Sequence, residues 1–175
     1  VLFRLLAGKS GEGSESLWLP LWVHARDTAE MMGYLVNQRL SEAAREAIGL
    51  DDDTLRRVAK FLGAVHDIGK ATALFQSNVT RQLPDAQDRL RAAGVTWGRF
   101  LNPGKSPHAL AGEAIALAFG CPQGLASIIG AHHGRPQARN EVLEQLSGWT
   151  SNYWTPVQEG LWREAWKDFW QWALE

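Results

Sequence analysis

Apolar residues recur at helical spacing wherever a pattern can be read along the chain, and no stretch alternates in the Val-, Ile- and Thr-rich manner of a strand. The expected fold class is all-α. Ala29, Met32, Leu35 and Val36 fall on one face of a helix predicted over residues 24–48, which stops at Gly49. Asp51, Asp52 and Asp53 then suit the start of a second helix, because carboxylates there oppose the helix dipole. Its apolar stripe runs through Leu55, Val58, Phe61, Leu62 and Val65, and it ends on His66-Asp67. A third helix is predicted after Gly69, over residues 71–82, while residues 96–107, with Gly98, Pro103 and Gly104, read as a long loop. Helices over residues 108–119 and 125–132 follow, separated by Gly120 and Pro122, and the last spans residues 156–174. The first twenty residues, with Gly8, Gly11, Gly13 and Pro20, read as irregular.

A length of 175 residues suits one domain, with residues 155–175 forming its Trp-rich C-terminal segment. Apolar residues at 45% and charged residues at 21% allow a sizeable core and exclude a disordered or repetitive chain. No apolar run reaches the ~18–20 residues of a membrane span, and no secretion leader is visible, so the expected location is the cytoplasm. Cys121 stands alone, which excludes an internal disulfide and a thiolate cage and leaves nitrogen and oxygen ligands for any metal. The net charge of -1 hides a split: residues 81–140 hold seven Lys/Arg against three acids, and residues 141–175 hold two against six. The basic middle segment would favour a polyanion. Trp162, Trp166 and Trp170, four apart, share one helix face, which points to buried packing or a contact with a partner rather than to base stacking.

The five histidines fall as His24, His66-Asp67, His108 and His132-His133, mostly at the predicted ends of helices, where several segments can converge on one pocket. Neutral imidazole suits Zn, Mn, Fe, Co and Ni, and the two oxygens of an aspartate beside a histidine can bridge two cations. Two such ions could activate water and stabilise a departing phosphodiester oxygen.

The segment His66-Asp67-Ile68-Gly69-Lys70 matches the H-D-x-G-K signature of the HD superfamily of metal-dependent phosphohydrolases. Followed by Ala71-Thr72-Ala73-Leu74-Phe75-Gln76, it resembles the nuclease domain of the CRISPR-associated helicase-nuclease of type I systems, where a Phe-Gln pair typically follows the signature. Ala7-Gly8-Lys9-Ser10, Leu19-Pro20-Leu21 with His24 and Asp27-Thr28-Ala29, and Gly130-Ala131-His132-His133-Gly134 resemble further parts of that domain. The resemblance spans residues 7–136 and implies an HD-domain helical bundle. It implies one divalent ion on His24, His66 and Asp67 and a second on Asp67, His108, His132 and His133, with Lys70 steadying a phosphate or a bridging hydroxide. Histidine-rich ligation favours Mn, Ni, Co or Fe over Mg. Gln76 reads as a supporting polar contact, and Gly69 either lets the chain pass close to the metals or relaxes the helix end.

The family also takes a further aspartate from a downstream helix in an Ala-Asp-Trp-like setting, which has no counterpart here; Asp168 in Lys167-Asp168-Phe169 is the only aspartate after residue 88. The expectation is a domain that ends before that helix. Gly8-Lys9-Ser10 echoes a phosphate-binding loop but lacks its earlier glycine, whose place is taken by Phe3. The implied function is metal-dependent cleavage of single-stranded DNA in antiviral defence, alongside an RNA-guided surveillance complex and a helicase in cis or in trans. An HD phosphohydrolase acting on a small or cyclic nucleotide would leave His108, His132 and His133 unexplained. A non-catalytic docking module would bind its partner without Asp67 or metal.

Overall fold

The computed structural model describes residues 1–10 and 17–175, in which nine α-helices surround a core dominated by aromatic and small residues. Gly11 and Gly13, read above as irregular, lie outside the described residues. Two short antiparallel strands, β1 (Ala7–Ser10) and β2 (Trp18–Pro20), lead into α1 (Leu21–Arg39). The small sheet leaves the all-α class intact, and among the described residues no helix is long and apolar enough to cross a membrane.

The helix predicted over residues 24–48 is two helices. α1 ends at Arg39, and the Ser41 hydroxyl accepts the Ala44 N–H to start α2 (Glu42–Ile48), which closes on Gly49 in the left-handed region at φ 70°. The Asp51 side chain then caps α3 (Asp52–Val65) by accepting from Thr54 N–H. α1 and α3 run antiparallel and pack closely, because Gly63 lies against the backbone of Thr28 and Ala29 and Gly33 lies under the Lys60 stem.

After α3 comes a 3-10 turn over Ile68–Lys70, then α4 (Ala73–Val79), capped by the Thr72 hydroxyl, and a second 3-10 turn over Thr80–Gln82. The predicted third helix therefore starts two residues late and tightens at its end. α5 (Pro84–Ala92) was not expected, although Pro84 at its first turn is a start signal. Residues 96–107 form the expected loop, broken by a 3-10 turn over Pro103–Lys105. α6 (His108–Ala118) is the central helix, with every residue from Ala109 to Ala116 buried. α7 (Gln123–Gly130) and the unexpected α8 (Arg139–Gly148) flank it.

α9 (Glu159–Leu174) closes the bundle. Trp162, Trp166 and Trp170 are buried within this chain, Phe169 stacks on Phe3, and Trp166 Nε1–H donates to Ala71 O. Of the two roles open to these tryptophans, internal packing is the one the fold uses.

Candidate metal centre

Asp67 is the hub, and helix ends bring the histidines to it. α3 stops at His66, where Asp67 leaves helical geometry at φ -104° and ψ 16° and turns its carboxylate inward, 3% exposed. His24, in the first turn of α1, places Nε2 3.0 Å from Asp67 Oδ2, and His66 Nε2 lies 3.2 Å from the same oxygen. Lys70 Nζ donates to it at 2.7 Å. On the other side, Oδ1 faces His108 Nε2 at 3.4 Å and His132 Nε2 at 3.5 Å. His108 Nε2 is in turn 3.3 Å from His132 Nε2 and 2.9 Å from His133 Nε2.

The orientation of two rings follows from how their helices end. The last carbonyls of a helix lack intrahelical partners, and His66 Nδ1–H donates to Gly63 O at 2.8 Å, as His132 Nδ1–H donates to Ile129 O at 2.7 Å. A carbonyl only accepts, so Nδ1 carries a proton, and in the neutral form of each ring the Nε2 lone pair faces the centre.

Burial pushes the Asp67 carboxyl up, but its contacts with His24, His66 and Lys70 outweigh that effect and hold it far below the usual carboxylate range. Burial, with Lys70, His132 and His133 nearby, drives His108 down to about 4 against the pull of Asp67, and burial also lowers His132. For His66 burial acts downward, but the Asp67 contact prevails and raises it. The centre thus combines a firmly ionised carboxylate with neutral imidazoles at His108 and His132, which is the protonation a cation needs.

Two groups of ligand atoms, His24 with His66 and Asp67, and His108 with His132 and His133, each lie within 4.8 Å of one another. Bonds of ~2.0–2.2 Å to one ion put neighbouring ligand atoms roughly 3–3.5 Å apart, which is the separation found between several of these nitrogens and oxygens. The donor set fits a divalent transition ion in each group. All six residues expected as ligands, together with Lys70, meet in one place. Asp168 lies on α9 and belongs to neither group.

Other residues shape the centre without having been singled out as ligands. Gly69 and Gly112 let the turn after Asp67 meet the first turn of α6 through bare backbone. Gly112 is a glycine inside an apolar helix, a costly choice that signals close approach. Gln76, fully buried, accepts from Ala7 N–H and donates to Ala7 O and Lys70 O, so it ties β1 to the Lys70 turn. Phe75 packs edge-on against His108 and lies 5.6 Å from Lys70 Nζ.

A helical bundle in which a His-Asp dipeptide at one helix end gathers histidines from three other segments has the arrangement of an HD domain. The family model for the Cas3 HD domain matches residues 8–175, and the chain belongs to that family. A curated relative, the CRISPR-associated nuclease/helicase Cas3 of Streptococcus thermophilus, is 35% identical over 188 aligned residues, covering 96% of this chain. The chain spans 20% of that relative's length. No solved structure matched the chain.

Proposed function

We propose that this domain is a metal-dependent nuclease that hydrolyses phosphodiesters of single-stranded DNA, exposed when an RNA-guided complex opens a duplex in antiviral defence. The observation that carries the reading is the division of one buried carboxylate, with Asp67 Oδ2 turned to His24 and His66 and Oδ1 to His108 and His132. That division suits a pair of divalent ions held by His24, His66 and Asp67 on one side and Asp67, His108, His132 and His133 on the other. Such ions supply a nucleophilic water at neutral pH and stabilise the leaving oxygen. The nitrogen-rich donor set favours Mn, Ni, Co or Fe over the oxygen-seeking Mg.

The chain's own groups hold and orient. Lys70, beside Asp67, presents a cation toward a scissile phosphate, and the exposed Lys105 and Arg135, close in sequence to His108 and His133, offer charge to the DNA backbone. The name of the relative couples nuclease with helicase, so a helicase in cis or in trans is the partner this reading requires, in the cytoplasm. The one-metal phosphohydrolase of small or cyclic nucleotides gives no role to the grouping of His108, His132 and His133.

The test is incubation of circular single-stranded DNA with the purified chain and Mn, Ni or Co, against a chelator and against Asp67→Ala. A circle has no ends, so linear product that needs both metal and Asp67 is the expected result. Cleavage that survives His108→Ala unchanged would favour the one-metal reading. DNA binding indifferent to chelation and to Asp67, with no cleavage, would favour a docking module.

A further inference from the structure

Glu113 is the single acid of α6, whose residues after His108 are otherwise apolar, and it is 4% exposed. Its Oε1 accepts from Ser127 Oγ at 3.0 Å, and Oε2 has no hydrogen-bond partner among the described residues. The carboxyl fills the space left by the missing side chain of Gly130. A methyl on Gly130 would stand 2.9 Å from Glu113 Cβ and Cδ, and closer still to Oε2. Glu113 therefore braces the last turn of α7 at Ser127 and at Gly130.

That turn orients the paired histidines. Ile129 O receives His132 Nδ1–H, Gly130 O receives Gln137 Nε2–H, and the chain then runs through Ala131 into His132-His133. One residue before Glu113, Gly112 meets Ile129 Cγ2 and the backbone nitrogen of Gly69. Residues 112 and 113 of α6 thus touch both the turn that follows Asp67 and the turn that carries His132, while His108 stands at the start of the same helix. Behind the carboxyl lies a cavity of about 280 Å³, lined also by Leu117, Gln123, Gln137 and Arg139, so a truncated side chain would leave open space that no neighbour fills.

The geometry points to Glu113 as a positioning residue, acting through Ser127 and Gly130 to fix the end of α7 so that His132 and His133 converge with His108. A leucine of similar bulk could fill the slot at Gly130 but could not accept the Ser127 hydroxyl, and this accounts for a hydrogen-bond acceptor at a buried position that costs solvation. The inference rests on the reading that these three histidines bind a metal, and its first test is independent of metal.

The experiment uses the full chain with 15N-labelled histidine and compares wild type, Glu113→Ala and Glu113→Gln. In chelator, long-range 1H–15N imidazole spectra report each ring's tautomer. Glu113→Ala is expected to shift the His132 pattern away from the Nδ1–H form and leave His66 unchanged, and Glu113→Gln, which keeps an acceptor for Ser127, is expected to restore it. In cobalt titrations followed by d–d absorption, Glu113→Ala should weaken one of two binding events at least tenfold and leave the other within twofold. Gly130→Ala, which presses on the same contact from the α7 side, should weaken the same event. An unchanged His132 spectrum in Glu113→Ala would overturn the inference, as would equal weakening of both cobalt events. Failure of wild type to bind cobalt while the His132 pattern still shifts would refute the metal reading and uphold the brace.

Discussion

Replacing Gly69 by alanine tests whether bare backbone contact sets the distance between Asp67 and His108. A methyl at Gly69 would stand 2.5 Å from the Gly112 nitrogen and 2.8 Å from the His108 carbonyl carbon, and closer still to its oxygen, where ordinary contact begins at 3.4 Å. The obstacles are all backbone atoms of α6, so no side chain can rotate away. Relief requires the start of α6 to move off the turn by about 1 Å, and ordinary overpacking already costs about 1–3 kcal/mol. With backbone as the obstacle we expect about 3–5 kcal/mol, a large part of the ~5–15 kcal/mol that stabilises a typical domain. At about 2–4 °C per kcal/mol for a chain of this size, the melting temperature should fall by roughly 6–20 °C.

The same displacement carries His108 away from Asp67 Oδ1, now 3.4 Å from it. Functional sites tolerate about 0.5 Å of misplacement, so cobalt binding at the grouping of His108, His132 and His133 should weaken along with stability. The assay is thermal unfolding and cobalt titration of Gly69→Ala beside Gly124→Ala, a helical glycine with open space around it, where alanine should be neutral or stabilising by about 0.5–1 kcal/mol. A Gly69→Ala chain that melts within about 2 °C of wild type and binds cobalt normally would refute the reasoning.

Gln76→Leu removes three hydrogen bonds, two of them buried, and strands Ala7 N–H, Ala7 O and Lys70 O; at about 1–3 kcal/mol per unpaired group, urea unfolding should show a loss of about 3 kcal/mol or more. Lys70→Met removes the cation beside Asp67 and should lower the rate of DNA cleavage about a hundredfold while leaving the fold intact, as read by single-turnover kinetics with circular dichroism as control. The metal-free chain should lose stability as the pH falls from 6.5 toward 4. His108 and His132 are lowered in the folded state, so the unfolded chain takes up more protons in that window. Asp67 adds a loss at still lower pH, whereas the raised His66 contributes a stability that is fully present below pH 6.5 and is lost only as the pH rises above it. The His108 share is on the order of 3 kcal/mol at most, and melting curves in chelator that do not fall between pH 6.5 and 4, or that fall equally in His108→Gln, would contradict it.

The long helices and the gathering of histidines were legible because both leave local signals. Asp51 caps α3 where the acidic run placed a start, and Pro122 precedes α7 as a break should. Other elements were hidden for stateable reasons. Ser41 followed by Glu42 is a capping signal, but it lay inside a continuous apolar stripe and was overridden by it. α8 has no side-chain cap and only two buried residues, Val142 and Gln145, so little periodicity announces it. β1 is Ala-Gly-Lys-Ser, poor in strand formers, and is held by β2 and by Gln76, which is 69 residues away in sequence. In the centre, residue types with ligand chemistry could be picked out one by one. The division of the two Asp67 oxygens and the contact of Gly69 with Gly112 exist only once the chain has folded, and Glu113 was visible only as one acid in an apolar run.

His66 and His132 share a device that links folding to chemistry. Each stands just past the end of a helix, and each spends its Nδ1 proton on the carbonyl three residues earlier, the group that the helix ending leaves unpaired. The bond that closes the helix is therefore also the bond that selects the tautomer and aims Nε2 at Asp67. A ring fixed in this way is ready before any cation arrives, so little reorganisation has to accompany binding. His133 is different: it is exposed, and its only hydrogen-bond partner among the described residues is the His108 ring. Three of the rings are thus anchored, His66 and His132 by backbone and His24 by Asp67, while His133 takes its position from a neighbouring ligand. The anchored rings gather at Asp67, and the exposed His133 lies on the surface side, from which the proposed DNA substrate would enter.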